Sequence, residues 1–326
     1  MTSPEAACPP APRPRASLCA SALVALAALV TLAACAGCGQ ASPGKVSLGA
    51  AAGLPRAHGS HIVVVMLENA EYGEVIGSSS APYVNSLARR YGLMTQSYAI
   101  RHPSLPNYLA LTSGSTQGIG SDCTDCSVSA ANIVDQLEGA GISWKAYLED
   151  VPRRCFLGAT AGGYAKKHNP FAYYTDIVRS PARCGRLTGF AQLAGDLRAG
   201  RLPTYAWVSP NLCDDGHDCG VGAADSFLAR SVPALLRELG PPGFLVLQWD
   251  EGTSDRGCCG VAKGGRVATI VAGPSVRPGA RSAAPIDSYG VLGSIEQALG
   301  LAPLGGAADA RSGRLTALFA QAPRVR

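Results

Sequence analysis

The segment Phe244-Leu245-Val246-Leu247-Gln248-Trp249-Asp250-Glu251-Gly252 constrains the fold more than any other stretch of the chain. Five of its first six residues are apolar or aromatic, and glycine and proline bound the run. It is too short for an ordinary helix and has no polar face, so it predicts a strand buried on both sides, as in a parallel sheet. The strand ends in two adjacent carboxylates. Like charges side by side at the mouth of a buried strand repel, and a hard cation, which prefers oxygen ligands, would offset them. A solvated turn carrying two acids is the plain alternative. A second segment, His61-Ile62-Val63-Val64-Val65-Met66-Leu67-Glu68-Asn69, repeats the pattern with six consecutive apolar residues closed by two oxygen-bearing side chains. The repetition favours the cation.

Strand-like and helix-like stretches alternate through the rest of the chain. Helices are expected at Ala81–Tyr91, Ala131–Ala140, Phe190–Ala199, Asp225–Leu239 and Ser288–Leu299, and strands at Trp144–Leu148, Thr204–Val208 and Val267–Ala272. This rhythm predicts an α/β fold, a mostly parallel central sheet sandwiched by helices in a single domain of about 260 residues, residues 59–322. Ligands of such sheets gather at the carboxyl ends of the strands, where Glu68-Asn69 and Asp250-Glu251 both lie. The formal net charge is only +5 and no Lys/Arg run occurs, so nucleic acid is not an expected partner.

Residues 1–34 carry a basic flank (Arg13, Arg15) and an apolar run from Ser17 to Ala34 that ends Leu32-Ala33-Ala34-Cys35. This is the pattern of an export signal, and the cysteine after Leu-Ala-Ala looks like a bacterial lipobox, so Cys35 is the expected lipid anchor to a membrane. An uncleaved membrane anchor is the alternative. Residues 36–58, rich in Gly, Ala, Ser and Pro, read with Cys35 as a flexible tether over 35–58. Eight cysteines (123, 126, 155, 184, 213, 219, 258 and 259) fall in the domain, and an even number in an exported chain predicts disulfides. The expected pairs are 123–126, 213–219 and 155–184, in preference to a zinc knuckle at Cys123-x-x-Cys126. Cys258 and Cys259 either bridge each other or pair elsewhere.

Between these elements lies His102-Pro103-Ser104-Leu105-Pro106-Asn107-Tyr108, where the two prolines are expected to forbid a regular helix and to fix a turn. Ser104 in that turn either points its hydroxyl into a cleft or caps the turn.

Leu67-Glu68-Asn69, His102 to Tyr108, Lys167-His168-Asn169-Pro170-Phe171, Pro210-Asn211-Leu212-Cys213-Asp214-Asp215-Gly216-His217-Asp218 and Trp249-Asp250-Glu251-Gly252 occur in this order. Together they resemble the phosphoesterase family of the alkaline phosphatase superfamily, which includes bacterial acid phosphatases and phospholipases C. The resemblance implies an alkaline-phosphatase-like sandwich and a metal-dependent phosphatase acting on phosphate monoesters of small molecules or lipids, phosphoinositides such as phosphatidylinositol 3-phosphate among them. It implies one divalent ion (Zn, Ca, Mg or Mn) held by Glu68, Asn69, Ser104, Asp250 and Glu251. Ser104 would be both ligand and nucleophile, Asn107 and His168 would hold phosphoryl oxygens, and His217 would hold an oxygen or protonate the leaving group. The chemistry suits these residue types: a serine hydroxyl is a poor nucleophile until a cation favours its alkoxide, and a histidine titrates near neutrality.

Two features depart from the family. Only five histidines are present, with His58 in the tether and His61 opening a strand, so a two-zinc site is not expected. Ala70-Glu71-Tyr72 follows Asn69 where many relatives carry other residues, which bears on the substrate pocket. A phospholipase C or other phosphodiesterase on the same scaffold is the first rival; Ser104, where that branch tends to place threonine, speaks against it. A non-catalytic surface lipoprotein that binds metal or ligand is the second.

Overall fold

The computed structural model describes residues 60–320, all within one compact unit. The expected signal (1–34), tether (35–58) and Cys35 lie outside the described residues. In chain order the strands are β1 (Ile62–Leu67), β2 (Gly92–Tyr98), β3 (Trp144–Leu148), the two-residue β4 (Thr160–Ala161) and β5 (Tyr164–Ala165), β6 (Leu187–Gly189), β7 (Tyr205–Ser209), β8 (Phe244–Trp249), β9 (Arg266–Ala272), and the short β10 (Arg281–Ser282) and β11 (Ile286–Asp287). The helices are α1 (Tyr72–Val75), α2 (Pro82–Arg90), α3 (Ser104–Ser113), α4 (Ile133–Gly139), α5 (Thr175–Val178), α6 (Pro181–Cys184), α7 (Phe190–Arg198), α8 (Val221–Glu238) and α9 (Ser288–Leu299).

The main sheet runs β10-β2-β9-β8-β1-β7-β3-β6, with β11 also on β2. Every pairing is parallel except those of β9 with β2 and β8. Side chains alternate across a strand, and β1 needs apolar residues on both faces because helices cover both. Ile62, Val64 and Met66 enter a core shared with α3, α4 and α9, whereas Val63, Val65 and Leu67 enter one shared with α2, α7 and α8. That double burial explains the unbroken apolar runs of β1 and β8.

Register then fixes the site. Leu67 pairs with Trp249, so Glu68 and Asp250, the next residue on each strand, leave the sheet at the same level. Glu68 and Asn69, Asp250 and Glu251, and the loop after β7 that carries Asp215 and His217 therefore share one edge of the sheet, as expected for strand carboxyl ends.

Two local expectations are corrected. The prolines do not forbid a helix: α3 starts at Ser104, and Pro106 sits in its first turn, where a missing N–H costs nothing because those donors lack intrahelical partners. The strand β2 is not among those expected from the sequence. Its polar middle, Thr95 and Gln96, is half-buried, and a bulge between Met94 and Ser97 breaks its alternation. Helix α8 begins at Val221, one turn before the expected Asp225. Asp225 lies inside it and caps a different helix: its carboxylate accepts from the backbone N–H of Val84 at 2.7 Å and Tyr83 at 3.2 Å, at the start of α2.

Four disulfides join Cys123–Cys126, Cys155–Cys184, Cys213–Cys219 and the adjacent Cys258–Cys259. The first three are the expected pairs, the zinc knuckle is excluded by the first, and the vicinal bridge resolves the fourth. No helix among the described residues is long and apolar enough to cross a membrane.

Candidate active site

Ser104 opens α3 with its hydroxyl facing the ends of β1 and β8. Its Oγ donates to Glu68 Oε2 at 2.9 Å and lies 3.4 Å from Glu251 Oε1. Asp122 steadies the helix start by accepting from the Leu105 N–H at 2.9 Å. The N-terminus of a ten-residue helix carries partial positive charge, which favours an anion beside Ser104.

Four acids, Glu68, Asp215, Asp250 and Glu251, are buried in this corner. Glu68 takes the Tyr108 hydroxyl proton donor on Oε1, and His168 Nε2 stands 3.2 Å from the same oxygen. On its other side His168 Nδ1 is 2.9 Å from Asp215 Oδ2, and its ring stacks on Tyr108 with centroids 5.4 Å apart. Burial alone would lower the His168 pKa; the flanking Glu68 and Asp215 carboxylates outweigh it and push it up to about 9. Burial works the other way on Glu68, yet the cationic His168 holds its carboxyl below the ordinary range. Asp250 is pushed well above that range, by burial first and then by the charges of Glu68 and Glu251.

Crowded buried acids call for a cation, and the donor set fits one. Asn69 Oδ1 and Asp250 Oδ2 are buried without a hydrogen-bond partner, on neighbouring strand ends. Asn69 holds a left-handed backbone (φ 49°), which asparagine tolerates better than most residues, while its N–H donates to Asp250 Oδ1 at 3.1 Å. Together with Glu68, Ser104 and Glu251 these are hard oxygen donors of the kind a divalent ion takes. A second set is also present: ligand atoms of Glu68, His168 and Asp215 all lie within 4.8 Å of one another. The two sets share Glu68.

Asn107 holds the loop before Ser104. Its Oδ1 accepts from the N–H of Ile100 at 2.9 Å and Arg101 at 3.1 Å, and its Nδ2 donates to the carbonyls of Arg101 at 2.6 Å and Pro103 at 3.2 Å. All four amide positions are thus engaged by the loop before Ser104. His217 lies beside the acids: its ring is 5.7 Å from His168, and its Nε2 is 3.0 Å from Lys167 Nζ. An ammonium only donates, so Nε2 accepts and Nδ1–H donates to Asp218 Oδ1 at 2.6 Å. Burial disfavours charge on Lys167, but Asp122 Oδ2 at 3.0 Å holds its pKa above the usual lysine range.

Tyr108, Lys167 and Asp215 lie inside the family-like motifs, yet the sequence alone gives them no role. His102, which pairs through Nδ1 with Glu251 Oε2 and through Nε2 reaches the Ser254 carbonyl at 3.2 Å, was likewise passed over. Asp122 had no signal, since it lies in a loop of Gly, Ser and Asp.

A parallel-rich sheet between helix layers is a fold shared with the alkaline phosphatase superfamily. A superfamily member from Vibrio parahaemolyticus superposes with a TM-score of 0.52 over 77% of this chain and 70% of its own, at 11% identity, a likeness of fold. The Phosphoesterase family model matches residues 78–302. The chain belongs to that family and is a phosphoric ester hydrolase. It is 33% identical over 253 residues to the phosphatidylinositol-3-phosphatase of Mycobacterium tuberculosis, covering 77% of this chain and 80% of that protein. An acid phosphatase of Aspergillus fumigatus is 26% identical over 254 residues, 74% of this chain but only 55% of the fungal protein, so the chain spans about half of that relative.

Proposed function

We propose that the protein is an exported, metal-dependent phosphomonoesterase of the acid phosphatase kind, with Ser104 as nucleophile. The observation that carries this reading is the placement of the Ser104 hydroxyl at a helix N-terminus, 2.9 Å from Glu68 Oε2, among four buried acids. Glu68, Asn69, Ser104, Asp250 and Glu251 would hold one divalent ion, which when bound supplies positive charge against the phosphoryl oxygens and lowers the hydroxyl pKa.

The remaining roles belong to the chain itself. Ser104 Oγ, oriented by its hydrogen bond to Glu68 Oε2, attacks phosphorus in line with the ester oxygen as its proton is lost to solvent. The product of that step is a phosphoserine, which water then cleaves to release phosphate. His168, set between Glu68 and Asp215 through its two ring nitrogens, orients Glu68. The Lys167–His217 pair keeps a proton on Nζ at the edge of the site for the departing oxygen.

The name of the Mycobacterium tuberculosis relative supports phosphoinositides, phosphatidylinositol 3-phosphate in particular, as substrates. Four disulfides support an oxidising compartment outside the cytosol. The export signal and Cys35 anchor would place the enzyme on the outer face of the membrane.

The test compares p-nitrophenyl phosphate with bis-p-nitrophenyl phosphate, with and without chelator, across acid to alkaline pH. Chelator-sensitive cleavage of the monoester is the expected result. Preference for the diester would put the phosphodiesterase reading first, and no turnover with metal bound would favour the binding protein.

A further inference from the structure

A cavity of about 370 Å³ is lined by Glu71, Tyr72, Gly73, Ser254, Arg256 and Arg266. It is joined to the reaction centre by a short run of contacts. Ser104 Oγ is 3.4 Å from Glu251, Glu251 pairs with His102, and His102 Nε2 is 3.2 Å from the carbonyl of Ser254 on the cavity wall. On the other wall Glu71 is two residues past Asn69. The cavity therefore borders the strand ends that carry the acids.

Its charges are unequal. Glu71 is spent on the wall itself, accepting from the Ser254 hydroxyl at 3.0 Å and from the N–H groups of Thr253 at 3.1 Å and Arg266 at 3.2 Å. Arg266 lies over the Tyr72 ring, 3.9 Å from its centroid, with Nε donating to the Thr95 carbonyl at 2.9 Å. Arg256 is exposed, and among the described residues its guanidinium has no hydrogen-bond or ion-pair partner. The lining carries two guanidinium groups against one engaged carboxylate, the neighbouring Asp255 lies 4.0 Å from His102 Nε2, and the free guanidinium has a donor fork suited to a phosphate. No step of the phosphoryl transfer uses it.

We propose that this cavity is a leaving-group subsite that recognises a second anionic group, a phosphate mono- or diester on the alcohol being released, with Arg256 as its principal contact. The inference rests on the phosphomonoesterase reading and narrows its substrates to phosphomonoesters that carry a further phosphate. A lipid headgroup and a free bisphosphate share this chemistry.

The experiment measures kcat/KM of the full protein and of Arg256→Gln and Arg256→Lys on four substrates. They are p-nitrophenyl phosphate, n-propyl phosphate, propane-1,3-diol bisphosphate and short-chain phosphatidylinositol 3-phosphate. The wild type should prefer the bisphosphate to propyl phosphate by about tenfold, the worth of one good charge-assisted contact. Arg256→Gln should erase most of that preference and leave p-nitrophenyl phosphate within about twofold, and Arg256→Lys should restore part of it. A loss on both phosphorylated alcohols supports a general second-anion subsite, whereas a loss confined to the lipid substrate assigns it to the headgroup phosphodiester. An equal loss on all four substrates, or none on any, overturns the subsite while leaving the phosphatase reading intact. If the wild type leaves p-nitrophenyl phosphate uncleaved with metal supplied, the parent reading falls, and the subsite with it.

Discussion

Replacing Asn107 by alanine separates a residue that holds the loop before the nucleophile from one that touches substrate. Asn107 is wholly buried, and its amide supplies four hydrogen bonds to the backbone of residues 100–103. Alanine suits a helix, so helix propensity favours the change and the cost comes from the loop. Two N–H groups lose their acceptor. That of buried Ile100 carries a desolvation penalty, and that of exposed Arg101 is partly repaid by water. At about 1–3 kcal/mol for each unsatisfied buried group, the loss should total about 2–4 kcal/mol. For a domain of this size each kcal/mol lowers Tm by about 2–4 °C, so a fall of about 5–15 °C is expected by calorimetry or fluorescence. Asn107→Asp keeps one acceptor but sets a second oxygen against the carbonyls of Arg101 and Pro103 in a buried site, so it should be no milder than alanine. Because the loop carries His102 and leads into Ser104, kcat should drop along with Tm. A Tm unchanged within about 1 °C, together with a raised KM, would refute the reasoning. The amide would then be free for substrate.

Two further outcomes follow from the same geometry. Asp250→Asn replaces one carboxylate ligand oxygen beside Asn69 and Glu251 by an amide, and should abolish both stoichiometric metal binding, measured by elemental analysis, and turnover. Glu296, fully buried in α9 with Oε1 accepting from the Leu304 N–H at 2.9 Å, is pushed by burial from an ordinary value of 4.5 to about 8. Between those two values the folded chain keeps a proton that the unfolded chain has released, so stability falls as pH rises, by about 1.4 kcal/mol per unit from this group. Glu296→Gln should flatten that part of the stability–pH curve measured by denaturant unfolding; an unchanged slope would show that the carboxyl is ionised when folded.

The parts of the fold legible in the sequence were those whose pattern follows from local burial. β1 and β8 are buried on both faces and read as unbroken apolar runs, and the acids that close them stood out because no core tolerates them unpaired. β2 was not legible, because a bulge and a polar middle erase its period. The start of α3 was misjudged because proline's penalty applies to helix interiors and not to first turns. The residue types of the candidate site could be read from the sequence, its contacts less so. Lys167 and Asp215 sat beside assigned histidines, but only the fold brings Lys167 against Asp122, and His168 between Glu68 and Asp215. Asn107 shows the limit from the other side, since a polar residue inside a motif can serve the backbone.

The central claim is that Ser104 becomes phosphorylated during turnover. Acid quenching of the enzyme in the steady state, followed by peptide mapping by mass spectrometry, tests it most directly. The account predicts one phosphoryl group on the peptide containing Ser104, formed and lost at rates that accommodate kcat, and none in Ser104→Ala, which should be inactive yet folded. An unmodified peptide under these conditions, with Ser104→Ala still hydrolysing monoester, would contradict it and make water the attacking group.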